Sequence, residues 1–205
     1  MFNDCQKSRT MLKPILTFIL LTFSLLSTSQ IVTDAQLTEQ HGNLIYLKGE
    51  KNPFTGTAIS WLAPGRKQVE THYINGKQDS IETTWYADGK TMMEITYRDG
   101  EFNGPYRYYF PDGKLEFEKI YAKGLMNGKA IHYYPDGQTE SEGNYEDCHE
   151  TGTWSFYYPN GQKMKEGNYK LGFEDGIWLF WDEKGKPVKE VTFLDGEAVS
   201  ESKVK

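Results

Sequence analysis

Glutamates that recur at one fixed spacing are the first residues of this chain whose chemistry calls for an explanation. They stand 24 residues apart, at Glu70, Glu94, Glu118, Glu142, Glu166 and Glu190. Carboxylates can form a general acid and base pair or bind a hard cation, provided that their oxygens converge on one point. On successive β-hairpins these glutamates would lie about 10 Å apart, which excludes a glycosidase pair between adjacent members. We expect a solvated row paired with lysine or arginine on neighbouring strands, with a ladder of cation sites as the alternative.

A second candidate for chemistry is the run Cys148-His149-Glu150. One cysteine beside one histidine lacks the ligand spacing of a zinc site. The sequence also shows no Ser-His-Asp arrangement, no phosphate-binding glycine loop and no other metal-ligand spacing. We therefore predict that the protein is not an enzyme and has no catalytic residues, no metal and no cofactor.

Aromatic residues that break the repeat point to a binding surface instead. Trp154, Phe156 and Tyr158 alternate along one predicted strand, and Trp178 and Phe180 follow one unit later. The first two units carry small or polar residues there, and the third has a smaller aromatic set at Tyr106, Tyr108 and Phe110. Aromatic side chains are good anchors in protein interfaces, and a contiguous exposed patch of them marks an interaction site. These five are the predicted partner-binding residues, and extra packing toward the C-terminus is the alternative interpretation.

A 24-residue repeat sets the elements that must position these residues. Its turn glycines keep the period without a slip, at Gly65, Gly89, Gly113, Gly137, Gly161 and Gly185. Aromatic residues keep the same period in two further series, from Trp61 to Trp181 and from Tyr73 to Phe193. A fixed period of this length indicates an architecture of stacked repeats.

Each unit has the local chemistry of a β-hairpin. In the run Phe110-Pro111-Asp112-Gly113-Lys114, proline presets φ for a turn and glycine tolerates a positive φ. We expect a three-residue loop with a G1 bulge, in which Phe110 faces Lys114, while a two-residue Asp-Gly turn would shift the register by one. In the expected register the Tyr109 and Tyr121 series share one face of the sheet, and the glutamates lie on the other.

The predicted fold is all-β: an elongated single-sheet antiparallel meander of six 24-residue β-hairpin repeats over residues 49–196. Twelve strands would make a sheet on the order of 55 Å long. Residues 30–48 form an N-terminal segment in which Leu44–Leu47 adds a covering strand. Pro187 suits a last, outer strand, and residues 197–205 are expected to be a flexible tail.

The N-terminus has the order of a secretory signal. Basic residues precede an apolar run at residues 15–26, and small residues follow at 27–29. The run is too short to span a membrane comfortably. We expect a signal peptide at residues 1–29, cleaved after Ser29 or Ala35, and export to the periplasm or the extracellular space. A membrane anchor formed by an uncleaved N-terminal segment is the alternative, and the true start is Met1 or Met11.

The charge balance limits the partners. The net charge of the chain is −6, and it becomes more negative when the basic N-terminus is removed. Nucleic acids and anionic membranes require a basic footprint, so neither is an expected partner. An unidentified protein, or else a polysaccharide, fits the composition better.

The repeat also resembles a known family. The stretch at residues 128–145 carries Tyr-Tyr-Pro-Asp-Gly followed by Glu-Gly-Asn-Tyr, and residues 104–121 and 152–169 repeat the pattern. These residues resemble the MORN-repeat family in its bacterial variant form. Together with the segments at residues 41–46 and 53–56, they resemble in particular the YwqK-family antitoxins. The resemblance covers about residues 41–196 and implies an elongated antiparallel sheet that neutralises a toxic protein partner without catalysis.

Together these observations predict a non-catalytic exported repeat protein that serves as a protein–protein interaction module, antitoxin-like by resemblance. An extracytoplasmic carbohydrate-binding module is the alternative, because flat aromatic side chains on an exported sheet can stack sugar rings.

Overall fold

The computed structural model describes residues 30–40 and 42–204, so the predicted signal peptide lies outside the described residues. A 3-10 turn at Asp34–Gln36 follows the first strand. In chain order the strands are β1 (Gln30–Thr33), β2 (Leu37–Gln40), β3 (Leu44–Leu47), β4 (Gly56–Ala63), β5 (Arg66–Ile74), β6 (Lys77–Gln78), β7 (Ser80–Trp85), β8 (Thr91–Arg98), β9 (Glu101–Tyr109), β10 (Leu115–Ala122), β11 (Leu125–Tyr133), β12 (Thr139–Glu146), β13 (His149–Tyr157), β14 (Lys163–Lys170), β15 (Phe173–Trp181), β16 (Pro187–Leu194) and β17 (Glu197–Lys203). Among the described residues, no helix has the length and apolar character needed to cross a membrane.

The 24-residue period becomes two adjacent antiparallel strands in one long sheet. From β4 to β17 each strand pairs with the next, except that the short β6 pairs only with β5. Strands rich in aromatic and β-branched residues suit such a pleated surface. The predicted all-β meander of hairpin repeats is therefore confirmed.

The N-terminal end departs from the prediction. β1 pairs with β4 in parallel, from Gln30↔Gly56 to Thr33↔Ile59, whereas every other pairing is antiparallel in the described sheets. The expected covering strand, Leu44–Leu47, instead pairs with β2 in a separate two-stranded sheet. The cause is burial: Val32 of β1 packs with Phe54 and Ala58 in a core cluster. β1 thereby takes the outer edge of β4.

The C-terminal end departs from the prediction as well. Residues 197–203 form β17 and pair with β16, so the expected flexible tail is a strand over most of its length. The turn before it explains this result, because Asp195 and Gly196 both have positive φ, at 49° and 85°. Such a two-residue turn returns the chain onto its neighbour. Pro187 therefore begins the penultimate strand rather than the last one.

The register of the hairpin loops is as expected. The amide of Phe110 donates to the carbonyl of Lys114 at 2.8 Å, and Gly113 has a φ of 95°. The loop therefore contains three residues and ends at a glycine that takes up the left-handed conformation. The same bond joins Tyr134 to Gln138 and Tyr158 to Gln162.

The assignment of side chains to faces was wrong, and a bulge is the reason. Leu115 pairs with Tyr109, but Phe117 pairs with Tyr108, so Glu116 is an extra residue in its strand. Past this bulge the side chains of β10 have changed face, because residues alternate along a strand. Tyr121 thus lies away from Tyr109, which shares the side of the glutamates. We call the two sides the tryptophan face and the glutamate face.

Packing on the tryptophan face holds the C-terminal repeats together. Trp154 and Trp178 form a buried cluster with Ala130, and Tyr145 and Tyr169 pack against it. Each indole lies on a glycine of the preceding strand: a Cβ built on Gly143 would lie 2.1 Å from Trp154, and one on Gly167 would lie 2.2 Å from Trp178. Each indole N–H also donates to a backbone carbonyl, of Asn144 or Asn168, at 3.2 Å.

Candidate protein-binding surface

Four of the five predicted partner-binding residues come together on the tryptophan face. The ring centroids of Trp154 and Phe156 are 6.1 Å apart, and those of Phe156 and Trp178 are 6.2 Å apart. Trp154 is 5% exposed and Trp178 is 0% exposed. These two side chains therefore serve the packing of the sheet, which leaves Phe156 and Phe180 as the half-buried members that a partner could reach.

Lysines cover the two phenylalanines. The ammonium group of Lys165 lies 4.5 Å from the ring centroid of Phe156 and 4.6 Å from that of Trp178. Lys189 lies 5.0 Å from the ring of Phe180. Lys165 is held there by Glu174, at 3.2 Å. Cation–π contacts of this kind stabilise the face and occupy the surface on which another ring would stack.

Tyr158, the fifth predicted residue, connects two repeats. Its hydroxyl donates to the carbonyl of Trp181 at 3.0 Å. Equivalent tyrosines make the same bond in other units, from Tyr86 to Tyr109 and from Tyr134 to Tyr157. The recurrence indicates a structural role for the hydroxyl group of Tyr158.

The opposite side of β15 carries an exposed apolar stripe that sequence analysis missed. Phe173, Ile177 and Leu179 are 58%, 55% and 37% exposed, and we call them the β15 stripe. Ile177 pairs with Thr192 and Leu179 pairs with Glu190, so both lie on the glutamate face. Leu194, which is also exposed, follows in the next strand.

A signal for this stripe is present in the sequence. The equivalent residues one unit earlier are polar: His149, Thr153 and Ser155. The alternation was hidden because the same strand carries Trp178 and Phe180 on its other face, so that β15 reads as apolar throughout.

Several glutamates of the row on the glutamate face are neutralised by basic and hydroxyl groups. Glu142 accepts a hydrogen bond from Lys129 at 3.0 Å and from Tyr157 at 3.1 Å, and Arg107 binds Glu118 at 2.5 Å. The lysine bond is the first cause of a lowered pKa at Glu142. The expected pairing with lysine or arginine is confirmed at these positions.

Glu166 repeats this arrangement beside the stripe. It pairs with Lys163, whose hydrogen bond is the first cause of its lowered pKa, and it accepts a bond from Ser155 at 2.6 Å. Lys163 also lies 5.6 Å from the ring of Trp181. The described residues contain no cluster of three or more metal-ligating side chains. The glutamate face therefore offers an apolar strip with paired charges beside it.

The matched repeats coincide with these hairpins. The model of a family described as MORN repeat variant matches residues 78–99, 102–123, 126–147, 150–171 and 174–195, which make up more than half of the chain. The chain belongs to the MORN repeat variant family. Each matched MORN repeat ends at a two-residue turn, and successive repeats begin 24 residues apart. No curated protein matches the chain.

Within the MORN repeats, recurring and non-recurring positions have different uses. The recurring glycines, tyrosines and glutamates form turns, packing and ion pairs. The β15 stripe does not recur, and it lies in the last matched repeat, at residues 174–195, and just before it. The resemblance to YwqK-family antitoxins stays a prediction.

Proposed function

We propose that this MORN-repeat protein is a non-catalytic binding protein that acts outside the cytoplasm and holds a protein partner on its C-terminal repeats. The observation that carries the proposal is the β15 stripe. Three large apolar side chains stand exposed along one strand, while Trp178 of the same strand is completely buried on the other face. Large apolar side chains that are exposed close together along one strand indicate an interaction site.

The surroundings of the stripe favour a protein as the partner. Lys170, Asp175 and Glu190 lie beside the apolar residues in β14, β15 and β16. An apolar centre with charged residues around it is the usual anatomy of a protein interface. An open face of a sheet also suits a protein surface better than a small molecule, which is normally enclosed in a cleft.

Phe156 and Phe180 remain a second proposed contact, on the tryptophan face. A partner that displaced Lys165 and Lys189 would gain two aromatic anchors. Trp154 and Trp178 act in this proposal by holding the strands in place, so their substitution would test folding before binding.

The stripe is tested by capture of a partner from the cell envelope with the purified chain. Replacing Ile177 and Leu179 together by serine is expected to reduce partner capture by about tenfold or more, because interface anchors carry most of the binding energy. Ile81→Ser is the matched control, since Ile81 is exposed and occupies the position of Ile177 four units earlier. Undiminished capture by the folded double variant would exclude the stripe as the contact surface.

Paired substitutions test the opposite face in the same assay. Phe156→Ala combined with Phe180→Ala is expected to weaken capture if the partner also contacts the tryptophan face. Circular dichroism and thermal unfolding of each variant separate loss of binding from loss of fold.

The antitoxin resemblance supplies a specific partner class, a protein toxin. An exported antitoxin would have to meet its toxin outside the cytoplasm. Co-expression of this chain with a toxin encoded beside it is expected to restore growth only when both proteins carry export signals. Restored growth with both proteins confined to the cytoplasm would contradict the location.

A further inference from the structure

Two cleavage positions are open in the predicted export signal, after Ser29 and after Ala35. They differ by residues 30–35, which comprise all of β1 and the first two residues of the 3-10 turn. The fold of these six residues therefore bears on which product can complete the sheet.

β1 is an integral strand of the sheet. Its four residues pair in parallel with Gly56, Thr57, Ala58 and Ile59. Val32 is buried in the core cluster of the N-terminal end, together with Phe54 and Ala58. The carbonyl oxygen of Gln30 approaches β4 so closely that a Cβ on Gly56 would lie 2.3 Å from it. Because Gly56 has no side chain, the backbone of Gln30, the first residue of β1, can lie against it.

The turn after β1 is tied to the neighbouring hairpin. The amide of Thr33 donates to the side-chain oxygen of Gln36 at 2.9 Å. The ammonium group of Lys48 donates to the carbonyl of Ala35 at 2.6 Å, and the amide of Lys48 donates to the carbonyl of Gln36 at 2.8 Å. The peptide bond between Ala35 and Gln36, which is the second candidate for cleavage, therefore lies inside a hydrogen-bonded turn and not in a linker.

A chain that began at Gln36 would lack the contacts of residues 30–35 and would keep the bond between the Lys48 amide and the Gln36 carbonyl. The outer edge of β4 would lose its partner strand, and the cluster of Phe54 and Ala58 would lose Val32. An uncovered edge of this kind is a site for pairing with other chains. A chain that begins at Gln30 keeps every one of these contacts.

We infer that the mature chain begins at Gln30, after hydrolysis of the Ser29–Gln30 peptide bond by a signal peptidase. Water supplies the oxygen of the new Ser29 carboxylate, and Gln30 gains the free amine. The inference rests on the proposed export, and it selects one of the two positions that the small residues left open.

The test is the mass of the exported protein. The chain is expressed from Met1 in a host that exports it, and the protein outside the cytoplasm is measured by intact mass spectrometry. We expect residues 30–205, with Ser29→Leu abolishing this species and Ala35→Leu leaving the start at Gln30. A start at Gln36, or an exported chain of full length, would overturn the inference while leaving export intact. A chain retained in the cytoplasm would overturn export and the cleavage together.

A second measurement tests the structural reason directly. Residues 30–205 and residues 36–205 are purified separately and unfolded by heat, with Val32→Ala in the longer chain as a third sample. The longer chain is expected to unfold at the highest temperature, and both other samples at lower ones. Equal midpoints for the two lengths would show that β1 is dispensable and would remove the basis of the inference.

Discussion

At the scale of single residues, Gly143 and Trp154 show how the size of one side chain limits its neighbour across the sheet. The indole of Trp154 occupies the space above Gly143, and Trp178 occupies the space above Gly167. Three units earlier, the positions of Gly143 and Trp154 are occupied by Thr71 and Glu82. There the hydroxyl of Thr71 donates a hydrogen bond to the carboxylate of Glu82 at 2.8 Å. The indole rings of Trp154 and Trp178 thus fit because the preceding strand has no side chain at the position that each ring covers.

We predict that Gly143→Ala lowers the free energy of unfolding by about 1–3 kcal/mol, because the new methyl group overlaps the indole of Trp154. Urea unfolding measures the change. Asn144→Ala is the control on the exposed side of the same strand and is expected to change stability by less than about 0.5 kcal/mol. When Trp154 is also replaced by alanine, Gly143→Ala should no longer lower the free energy of unfolding. An equal loss with and without Trp154 would contradict the explanation.

Ser80 is the one residue of its series that is not glycine, and it has a φ of 67°. A left-handed conformation costs an ordinary residue about 1–2 kcal/mol, partly offset by the greater flexibility of unfolded glycine. We therefore predict that Ser80→Gly stabilises the protein by about 0.5–1 kcal/mol. Gly152→Ser is the matched reverse change, since Gly152 has a φ of 66° and open space at its Cβ position. Unfolding midpoints that shift in the same direction would be incompatible with this account.

At the scale of elements, tyrosine hydroxyls join each hairpin loop to the next. Tyr86, Tyr134 and Tyr158 donate to a carbonyl 23 residues ahead. Phe110 occupies the same position in its unit and has no hydroxyl to donate. The series of tyrosine-to-carbonyl hydrogen bonds is thus interrupted at Phe110, in the middle of the repeat array.

We predict that Phe110→Tyr adds this bond, to the carbonyl of Tyr133, and raises the free energy of unfolding by about 0.5–1.5 kcal/mol. Tyr134→Phe removes the natural bond and should lower it by a similar amount. Chemical denaturation of the two variants and the parent chain measures both changes. A Phe110→Tyr variant no more stable than the parent would show that the added hydroxyl finds no partner.

The tyrosines that pack between strands make the stability of the sheet depend on pH in the alkaline range. Burial is the first cause that raises the pKa of Tyr169 to about 12, and burial likewise raises the pKa of Tyr145 and Tyr73. In the unfolded chain a tyrosine ionises near pH 10. Because the folded pKa is the higher one, the stabilisation is complete below about pH 10 and is lost as the pH rises toward the folded value.

We therefore predict that the free energy of unfolding falls between about pH 10 and about pH 12, and that Tyr169→Phe makes the fall less steep. Phe193 is the natural phenylalanine of this series and shows that the hydroxyl is dispensable for packing. Denaturation curves across this interval, with tyrosinate absorbance as a second signal, measure the effect. An unchanged slope would mean that Tyr169 ionises equally easily in both states.

At the scale of the whole molecule, the protein is a long sheet whose two ends are built differently. β1 closes the first end by a parallel pairing that buries Val32. β17 closes the other with exposed side chains, among them Glu197, Glu201 and Lys203. Charges on an outer strand oppose pairing with another sheet. In between, each unit contacts mainly its neighbours, as in other repeat proteins.

We predict that a chain ending at Gly196 is less stable and associates with itself as its concentration rises. Removal of β17 leaves β16 as the outer strand, with Val191 and Phe193 beside an unpaired backbone. Light scattering and thermal unfolding measure the two effects. A chain ending at Lys203 keeps β17 and is expected to match the full-length protein, and similar behaviour of both truncations would assign no protective role to this strand.

The repeat, the hairpins and the three-residue loops were predictable because local chemistry determines them. Proline and glycine at Pro111 and Gly113 specify the turn wherever the surrounding chain lies. The family followed from the same recurring residues. Of the candidate site, the sequence indicated that the last repeats are unusually apolar, but two of the five residues that it named, Trp154 and Trp178, are buried.

Only the tertiary structure decided which side chains are exposed and how the sheet ends. The extra residue Glu116 reverses every side chain after it in the strand, and no local pattern requires such a bulge. Trp154 and Trp178 are buried because glycines on neighbouring strands make room for them. The pairing of β1 with β4 joins residues 26 positions apart through the burial of Val32. Turns depend on residues adjacent in the chain, so they can be predicted from the sequence. Burial and strand pairing depend on contacts between distant residues, which form only in the folded sheet.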